Sequence, residues 1–286
     1  MKYTPKAVDK ISTKESLKLL VRSWQLAKKT IGFVPTMGAL HDGHLSLVRQ
    51  SKAENDFTVV SIFVNPLQFN NSSDLEKYPR TLESDLSMLA NAGVDLVFTP
   101  GNDEFYDSPT LLTMDFGMVA SGLEGEHRPG HFSGVGVVVA RLFHLVCPTR
   151  AYFGSKDLQQ VAVIKTMVRN LAFDLEIVRC QTHRESSGLA MSSRNQRIST
   201  EGKQVAANLS KALQIGLDES RNSGLADSRT KALEFLQSSK EIELEYLEWV
   251  NADTMQIVDK QEFGVEIALC VAAWLEGIRL IDNKIR

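Results

Sequence analysis

The run PTMGALHDGH (35–44) places two imidazoles, His41 and His44, three residues apart beside Gly38 and Gly43. Imidazoles donate hydrogen bonds, and glycines let a ligand come close to the backbone, so the run suits an anionic oxygen such as a phosphate. An apolar run, 31–34, ends just before it, and a helical pattern begins near His44. The unpaired N–H groups and positive dipole end of a helix N-terminus would add to the attraction for anions. Standing alone, the pair reads more simply as a structural metal site or as two surface histidines. Zinc, however, would need further Cys or His ligands at suitable spacing, and none is near.

Four further stretches carry donors. GLAMSSRN (188–195) has small residues and two hydroxyls leading into Arg194, whose planar fork can grip phosphate oxygens at two points. It reads equally well as a turn before the next domain, or as a flexible, donor-rich loop. GSKDLQQ (154–160) follows a short β-rich run and places Lys156 where it could neutralise charge that develops in phosphoryl transfer. A solvated Lys-Asp turn is the plainer alternative. FVNPLQF (63–69) sets Asn65 and Gln68 among apolar residues, which suits a small ligand with both hydroxyls and methyls, or simply ends a strand at Pro66. EGEHRPGHF (124–132) has His127 and His131 four apart, but Pro129-Gly130 between them argues for a charged, mobile loop over a helix.

These residues need elements to hold them. Apolar runs at 31–34, 57–64, 94–98 and 151–153 end at Pro, Asn-Pro, Thr-Pro and Gly, a further run lies at 175–178, and helical patterns at 44–55, 81–92, 132–147 and 157–171 lie between them. An earlier helix should open at a capping box, Ser12 with Glu15, and run to about residue 29. Short apolar strands alternating with helices predict a doubly wound, parallel, Rossmann-like α/β sheet. Such sheets bind ligands at the carboxyl ends of their strands, where 35–44, 65–69 and 154–160 fall. After residue 195 the texture changes. A helix from Ser199-Thr200 to about 220, a polar stretch at 221–228, a helix at 229–239 and strands at 242–250, 266–275 and 278–282 predict a smaller α+β domain. The boundary is placed between 189 and 190.

The 286 residues are 43% apolar and 23% charged, which suits a globular chain and excludes a disordered or fibrous one. A net charge of −3 gives no overall basic excess, and so no sign of a nucleic-acid partner. The longest apolar stretch, 135–146, is broken by Arg141 and His144 and falls short of the ~20 residues of a bilayer span, so no membrane partner is expected. Three scattered cysteines, Cys147, Cys180 and Cys270, and no apolar leader run point to a cytoplasmic protein.

Taken together, PTMGALHDGH, FVNPLQF, YPRT (78–81), EGEHRPGHFSGV, FGSKDLQQ and GLAMSSRN, in that order over about residues 31–197, resemble the pantothenate synthetase (pantoate–β-alanine ligase) family of HxGH nucleotidyltransferases. The resemblance implies an ATP-dependent ligase that uses Mg2+ and joins pantoate to β-alanine through pantoyl adenylate, releasing AMP and diphosphate. It implies that residues 1–189 bind ATP and pantoate and that 190–286 form a lid. His41, His44, Lys156 and Arg194 would be catalytic. Pro35, Thr36, Met37, Gly38, Gly43, Gly154, Asp157, His183, Met191, Ser192 and Ser193 would join those four around ATP. Met37, Phe63, Gln68 and Gln160 would hold pantoate, Arg128 and His131 would contact β-alanine or the lid, and Asp85 would contact Mg2+. A homodimer is also implied. The chain departs from the family's habit at Ser84, where an acidic pair with Asp85 is common, and at His183, where an aliphatic residue is common. Two rivals stay open. One is a nucleotidyltransferase that stops at the nucleotidylated product; the other is a silent nucleotide- or metal-binding regulator.

Overall fold

The computed structural model describes residues 8–286. Its packing groups the chain into two units. The first contains the described residues up to Phe116, Arg128–Gly154 and Val163–Cys180; the second contains Gly117–His127, Ser155–Ala162 and Gln181–Arg286. Packing therefore divides the chain more finely than one boundary at 189/190, because two short segments from earlier in the sequence belong with the second unit.

The first unit is built on six parallel strands: β1 (Asp9–Ile11), β2 (Ile31–Thr36), β3 (Phe57–Ile62), β4 (Leu96–Phe98), β5 (Arg150–Gly154) and β6 (Glu176–Cys180). Their spatial order is β1-β4-β3-β2-β5-β6. Order reverses between β2 and β5, so the loops leaving these neighbours flank the switch point where doubly wound sheets take ligands. The helices are α1 (Lys14–Leu26), α2 (Asp42–Glu54), α3 (Ser72–Glu76), α4 (Leu82–Asn91), α5 (Asn102–Phe105), α6 (Glu124–His127), α7 (His131–Val146) and α8 (Leu158–Asn170). Of these, α6 and the start of α8, through Ala162, lie in the second unit. The expected parallel α/β architecture is present. The cap of α1 is Thr13, whose hydroxyl accepts from the Ser16 N–H, one residue beyond the expected Ser12. Val34, Val48, Val60, Leu89, Val97 and Tyr152 form one core of this unit, all without appreciable exposure.

The second unit holds an antiparallel sheet, β7 (Glu243–Asn251), β8 (Ile267–Leu275) and β9 (Ile278–Ile285), in the order β7-β8-β9. Against it runs α9 (Thr200–Gln237), capped by Ser199, whose hydroxyl accepts from the Gly202 N–H. Gly224 breaks this helix with φ 82° and ψ 175°, a conformation open to glycine and closed to most other residues, so the expected pair of helices meets at one residue in place of an eight-residue linker. Leu209, Leu213, Trp249, Leu269 and Val271 fill the core between helix and sheet.

Candidate active site

The two imidazoles of 35–44 are organised by each other and by the start of α2. His41 is its N-cap: its Nδ1 accepts from the Gly43 N–H at 3.1 Å, and the Nδ1 of His44 accepts from the His41 N–H at 3.4 Å. The ring centroids lie 4.1 Å apart. A neutral imidazole whose Nδ1 accepts must carry its hydrogen on Nε2, a tautomer assigned from the bonding network. Each ring is therefore a donor through Nε2, beside a helix N-terminus that itself favours anions.

The preceding loop is held in an uncommon shape. Gly38 and Ala39 have φ values of 85° and 51°, two consecutive left-handed residues, the second of which is strained without a special constraint. The constraint is Asp85 on α4, which is 1% exposed. Its Oδ2 accepts from Ala39 N–H at 3.0 Å, its Oδ1 from Leu40 N–H at 2.9 Å and from the Thr81 hydroxyl at 3.1 Å. A Cβ on Gly38 would meet Asp85 Oδ2 at 3.1 Å. Both carboxylate oxygens thus hold the loop in its shape. Among the described residues no group of three or more His, Cys, Asp or Glu side chains could hold a metal ion. Mg2+ needs only one or two carboxylates beside substrate phosphates and waters, so Asp85 would meet such an ion together with ATP.

Thr36, at the end of β2, donates its hydroxyl to Ser61 O at 2.7 Å and accepts from the Gly38 N–H at 3.3 Å, and its carbonyl takes the N–H of Phe63 at 3.1 Å. Pro35 stands opposite Ser61 in the sheet. Gln68, 8% exposed, lies against Met37: its Nε2 is 3.0 Å from Met37 Sδ, while its Oε1 accepts from Asn65 Nδ2 at 3.1 Å. Asn65, in turn, accepts from the Tyr106 hydroxyl at 2.8 Å. Phe63 packs on Phe105, centroids 4.3 Å apart. His131 begins α7 with its Nδ1 2.8 Å from the carbonyl of Gln68, and Arg128 Nη1 lies 3.0 Å from His131 Nε2. Close approach between α7 and this turn depends on Gly134, since a Cβ there would sit 2.2 Å from the carbonyl oxygen of Leu67. The expected pantoate residues Met37, Phe63 and Gln68 therefore share one small, partly apolar cluster. Asn65 and Tyr106 belong to it as well; Asn65 stands inside the FVNPLQF motif, whereas nothing in the sequence marks Tyr106.

In the second unit, Lys156 follows β5 in a single 3₁₀ turn (Ser155–Asp157), and its Nζ lies 3.5 Å from Asp157 Oδ1. Gly154 ends β5, and Gln160 is half-buried in the first turn of α8. Its neighbour Gln159 is 4% exposed and works on the backbone: Oε1 accepts from Glu124 N–H at 3.0 Å, and Nε2 donates to Val119 O and Gly122 O at 3.0 and 2.9 Å. Glu124 is buried, and its carboxylate meets the Arg279 guanidinium at 2.7 and 2.8 Å and the Tyr246 hydroxyl at 2.7 Å. Glu245 also receives Arg279, as well as Trp274 Nε1 at 3.1 Å. Burial alone would raise its pKa, but the bonds from Arg279 and Trp274 outweigh it and hold the carboxyl below its usual range. The charged, mobile loop expected at 124–132 is instead a short helix with a buried, paired acid at its head, followed by a turn at Gly130.

Residues 188–195, readable from sequence as a flexible loop or as a turn, are a braced turn, together with 183–187 before them. Arg184 bridges to Ala190, Met191 N–H donates to His183 O at 3.0 Å, and Gly188 turns the chain at φ 91°. Ser192 caps the next 3₁₀ turn by accepting from the Arg194 N–H at 3.3 Å. Asn195, 4% exposed, ties the turn back to Glu185 Oε1 and Ala190 O at 3.0 and 3.1 Å. Ser193 is buried, Arg194 half-buried and His183 exposed.

The family model described as pantoate-beta-alanine ligase matches residues 9–285. The chain belongs to the pantoate–β-alanine ligase family. The pantothenate synthetase of Cytophaga hutchinsonii is 49% identical over 277 residues, covering 96% of this chain and 98% of that relative. The pantothenate synthetase of Acetivibrio thermocellus is 45% identical over 278 residues, with coverages of 96% and 98%. Among solved structures, pantothenate synthetase from Thermus thermophilus superposes with a TM-score of 0.90 at 42% identity, over 97% of this chain and 99% of that one. A pantoate-beta-alanine ligase from Francisella tularensis, complexed with beta-gamma ATP and beta-alanine, gives a TM-score of 0.79 at 35% identity over 98% of each chain. Within the pantoate–β-alanine ligases, then, the expected site residues of this chain fall into two groups: 35–44, 63–68, 85, 128–131 and 154 in the first unit, and 155–160 and 183–195 in the second.

Proposed function

We propose that this chain condenses pantoate with β-alanine at the expense of ATP. In the first step a pantoate carboxylate oxygen attacks the α-phosphorus of ATP, the bond to the bridging oxygen breaks, and diphosphate leaves. In the second, the β-alanine amine attacks the acyl carbon of pantoyl adenylate, the acyl–oxygen bond breaks, AMP leaves and the amine gives up a proton. Pantoate is already ionised near pH 7, so the first step needs no base. It needs alignment and stabilisation of charge spreading over phosphate oxygens.

The reciprocal capping of His41 and His44 carries this reading, because it fixes both imidazoles as Nε2 donors beside a helix N-terminus. In the assigned roles His41, His44, Lys156, Ser192, Ser193 and Arg194 bind ATP phosphates, with His44 and Lys156 stabilising the transition state. Pro35, Thr36, Gly38 and Gly43 supply close backbone. Gly154 and Asp157 hold the ribose, Met191 lies along the nucleotide and the His183 backbone faces adenine. Gln68 and Gln160 bind the oxygens of pantoate, Met37 and Phe63 its methyls, and Arg128 and His131 serve β-alanine or closure. Residues 190–286 act as the lid that shields the adenylate from water. Mg2+ enters with ATP as part of the substrate, and Asp85 holds the loop at 38–40.

The enzyme is further proposed to act in the cytoplasm as a homodimer, which light scattering would read as twice 31.8 kDa. The deciding experiment supplies ATP with pantoate and β-alanine together or withheld in turn. AMP formation that depends on both substrates is expected. A stable nucleotidylated product that β-alanine does not consume would replace this reading with that of a simple nucleotidyltransferase.

A further inference from the structure

We propose that Asn283, near the end of the chain, is a positioning residue for Lys156. Its side-chain amide donates both hydrogens to the backbone of the turn that carries the lysine, Nδ2 lying 2.8 Å from Ser155 O and 2.9 Å from Lys156 O. The side chain is buried at 5% exposure, so those carbonyls have little recourse to water if the amide is lost.

The geometry around it is unusual for a strand. Residues on β9 alternate until Asp282 and Asn283, which are both buried, although neighbours on a strand face opposite ways. Each has a stated occupation. Asp282 receives the Arg184 guanidinium at 2.7 and 3.0 Å and the Asn283 N–H at 2.8 Å. Arg184 also donates to Asn283 O at 3.2 Å and to Gly188 O at 3.1 Å, the turn that leads to Ser192 and Arg194. One strand thus fixes the backbone under Lys156 directly and steadies the approach to 192–194 through Arg184. An apolar residue at 283 would fill the space and pair neither carbonyl. An amide with two hydrogens pairs both, which a serine, with one, does not.

This inference rests on the reading that Lys156 stabilises charge during adenylation. Misplacing a charge-stabilising group by about an ångström costs on the order of 10²-fold in rate. Asn283→Ala is therefore expected to slow single-turnover diphosphate release from ATP and pantoate by about tenfold or more. Asn283→Asp, which keeps the shape but offers only acceptors to two carbonyls, should do the same; it serves as the second variant if the alanine form does not fold. Asn208→Ala removes a comparable amide bond in the same unit, to Ser239 Oγ at 3.0 Å, and should leave the rate unchanged.

The discriminating measurement is the cycle with Lys156→Ala. If Asn283 acts through Lys156, the double variant is no slower than Lys156→Ala alone. A full additional loss in the Lys156→Ala background, or wild-type rates in folded Asn283→Ala, would overturn the inference while leaving the role of Lys156 intact. Wild-type rates in Lys156→Ala would overturn both.

Discussion

The loops that leave β2 and β5 start from neighbouring strands, yet they are held by opposite means. Residues 37–40 are fixed by one buried carboxylate, Asp85, which accepts two backbone N–H bonds and a hydroxyl. The turn at 155–157 is fixed by an amide, Asn283, which donates to two carbonyls, and the segment beside it is stapled by the amide of Gln159 and the buried trio Glu124–Arg279–Glu245. The polarity follows from what each loop exposes. Asp85 accepts from two backbone N–H groups of its loop and Asn283 donates to two backbone carbonyls of its turn, so each holder satisfies the backbone groups that face it. The first holder stands on α4, 45 and 46 residues from its partners, whereas the second stands on a strand more than a hundred residues away, and the second unit also depends on the buried charges Glu124, Arg279 and Glu245.

The largest expected effect tests that dependence. Arg279→Ala would leave Glu124 and Glu245 facing each other in a buried setting, with side chains 8% and 15% exposed. Removing one partner from such a group costs about 3–5 kcal/mol. The counterpart in the first unit is Lys52–Asp95 at 2.9 Å, with both side chains about a third exposed. Lys52→Ala should cost no more than about 1 kcal/mol. Urea denaturation of the two variants measures the contrast, and equal losses would mean that the Arg279 network is no more than a surface pair.

Next in size is the chemistry. His44→Ala removes a donor from the first unit and Lys156→Ala a cation from the second. Each should slow adenylation by about 10²-fold, with little change in melting temperature, as for loss of a preorganised charge-stabilising group. Single-turnover kinetics would test it, and a loss confined to one of the two would assign the chemistry to that unit. A smaller effect is expected of Asp85→Asn. The amide keeps one acceptor and turns an NH2 toward a backbone N–H, at a cost of about 1–3 kcal/mol. The loop should loosen and the KM for ATP should rise. Titrating Mg2+ decides the cause: recovery at high Mg2+ would mark Asp85 as a metal contact, whereas no recovery fits a loop holder.

How much of this was legible beforehand divides along the same line. The apolar runs 31–34, 57–64 and 151–153, bounded by Pro, Asn-Pro and Gly, mark the strands 31–36, 57–62 and 150–154, although β2 runs on through Pro35, and His41 and His44 sit in a local motif whose capping geometry needs only four residues. The three residues of β1, Asp-Lys-Ile, have no such signal and become a strand only because β4 lies beside them. Asp85 was marked only by the family resemblance, as a metal contact, and its loop-holding bonds to residues 45 and 46 positions away could not be read from the sequence. Asn283 and Tyr106 carry no pattern at all, and Gln159 stands in GSKDLQQ with nothing to mark its backbone bonds. Their importance lies in backbone groups brought to them by folding, and residue type alone cannot register this.

The smallest effect concerns thiols and compares the cores of the two units. The three cysteines are free; Cys147 is exposed, whereas Cys180 in the first unit and Cys270 in the second are buried. Burial, with a further push from the charge of Glu54, raises the Cys180 thiol from 9.0 to about 12. Burial and the charges of Glu124 and Asp282 raise Cys270 also. Since the thiolate is the reactive form, iodoacetamide at pH 8 should label Cys147 alone in the native protein and all three once it is unfolded. The sign for stability follows from proton counts. Between pH 9 and about 12 the unfolded chain has released the Cys180 proton while the folded chain keeps it, so the folded state loses stability as pH rises through that window and gains nothing below it. The buried hydroxyl of Tyr246, whose pKa is raised by burial and by Glu124, acts in the same direction in the second unit. Urea midpoints should therefore fall steadily above pH 9. A midpoint that held constant to pH 11, or native labelling of Cys180 at pH 8, would show that the core behind β6 opens to solvent far more readily than its packing implies.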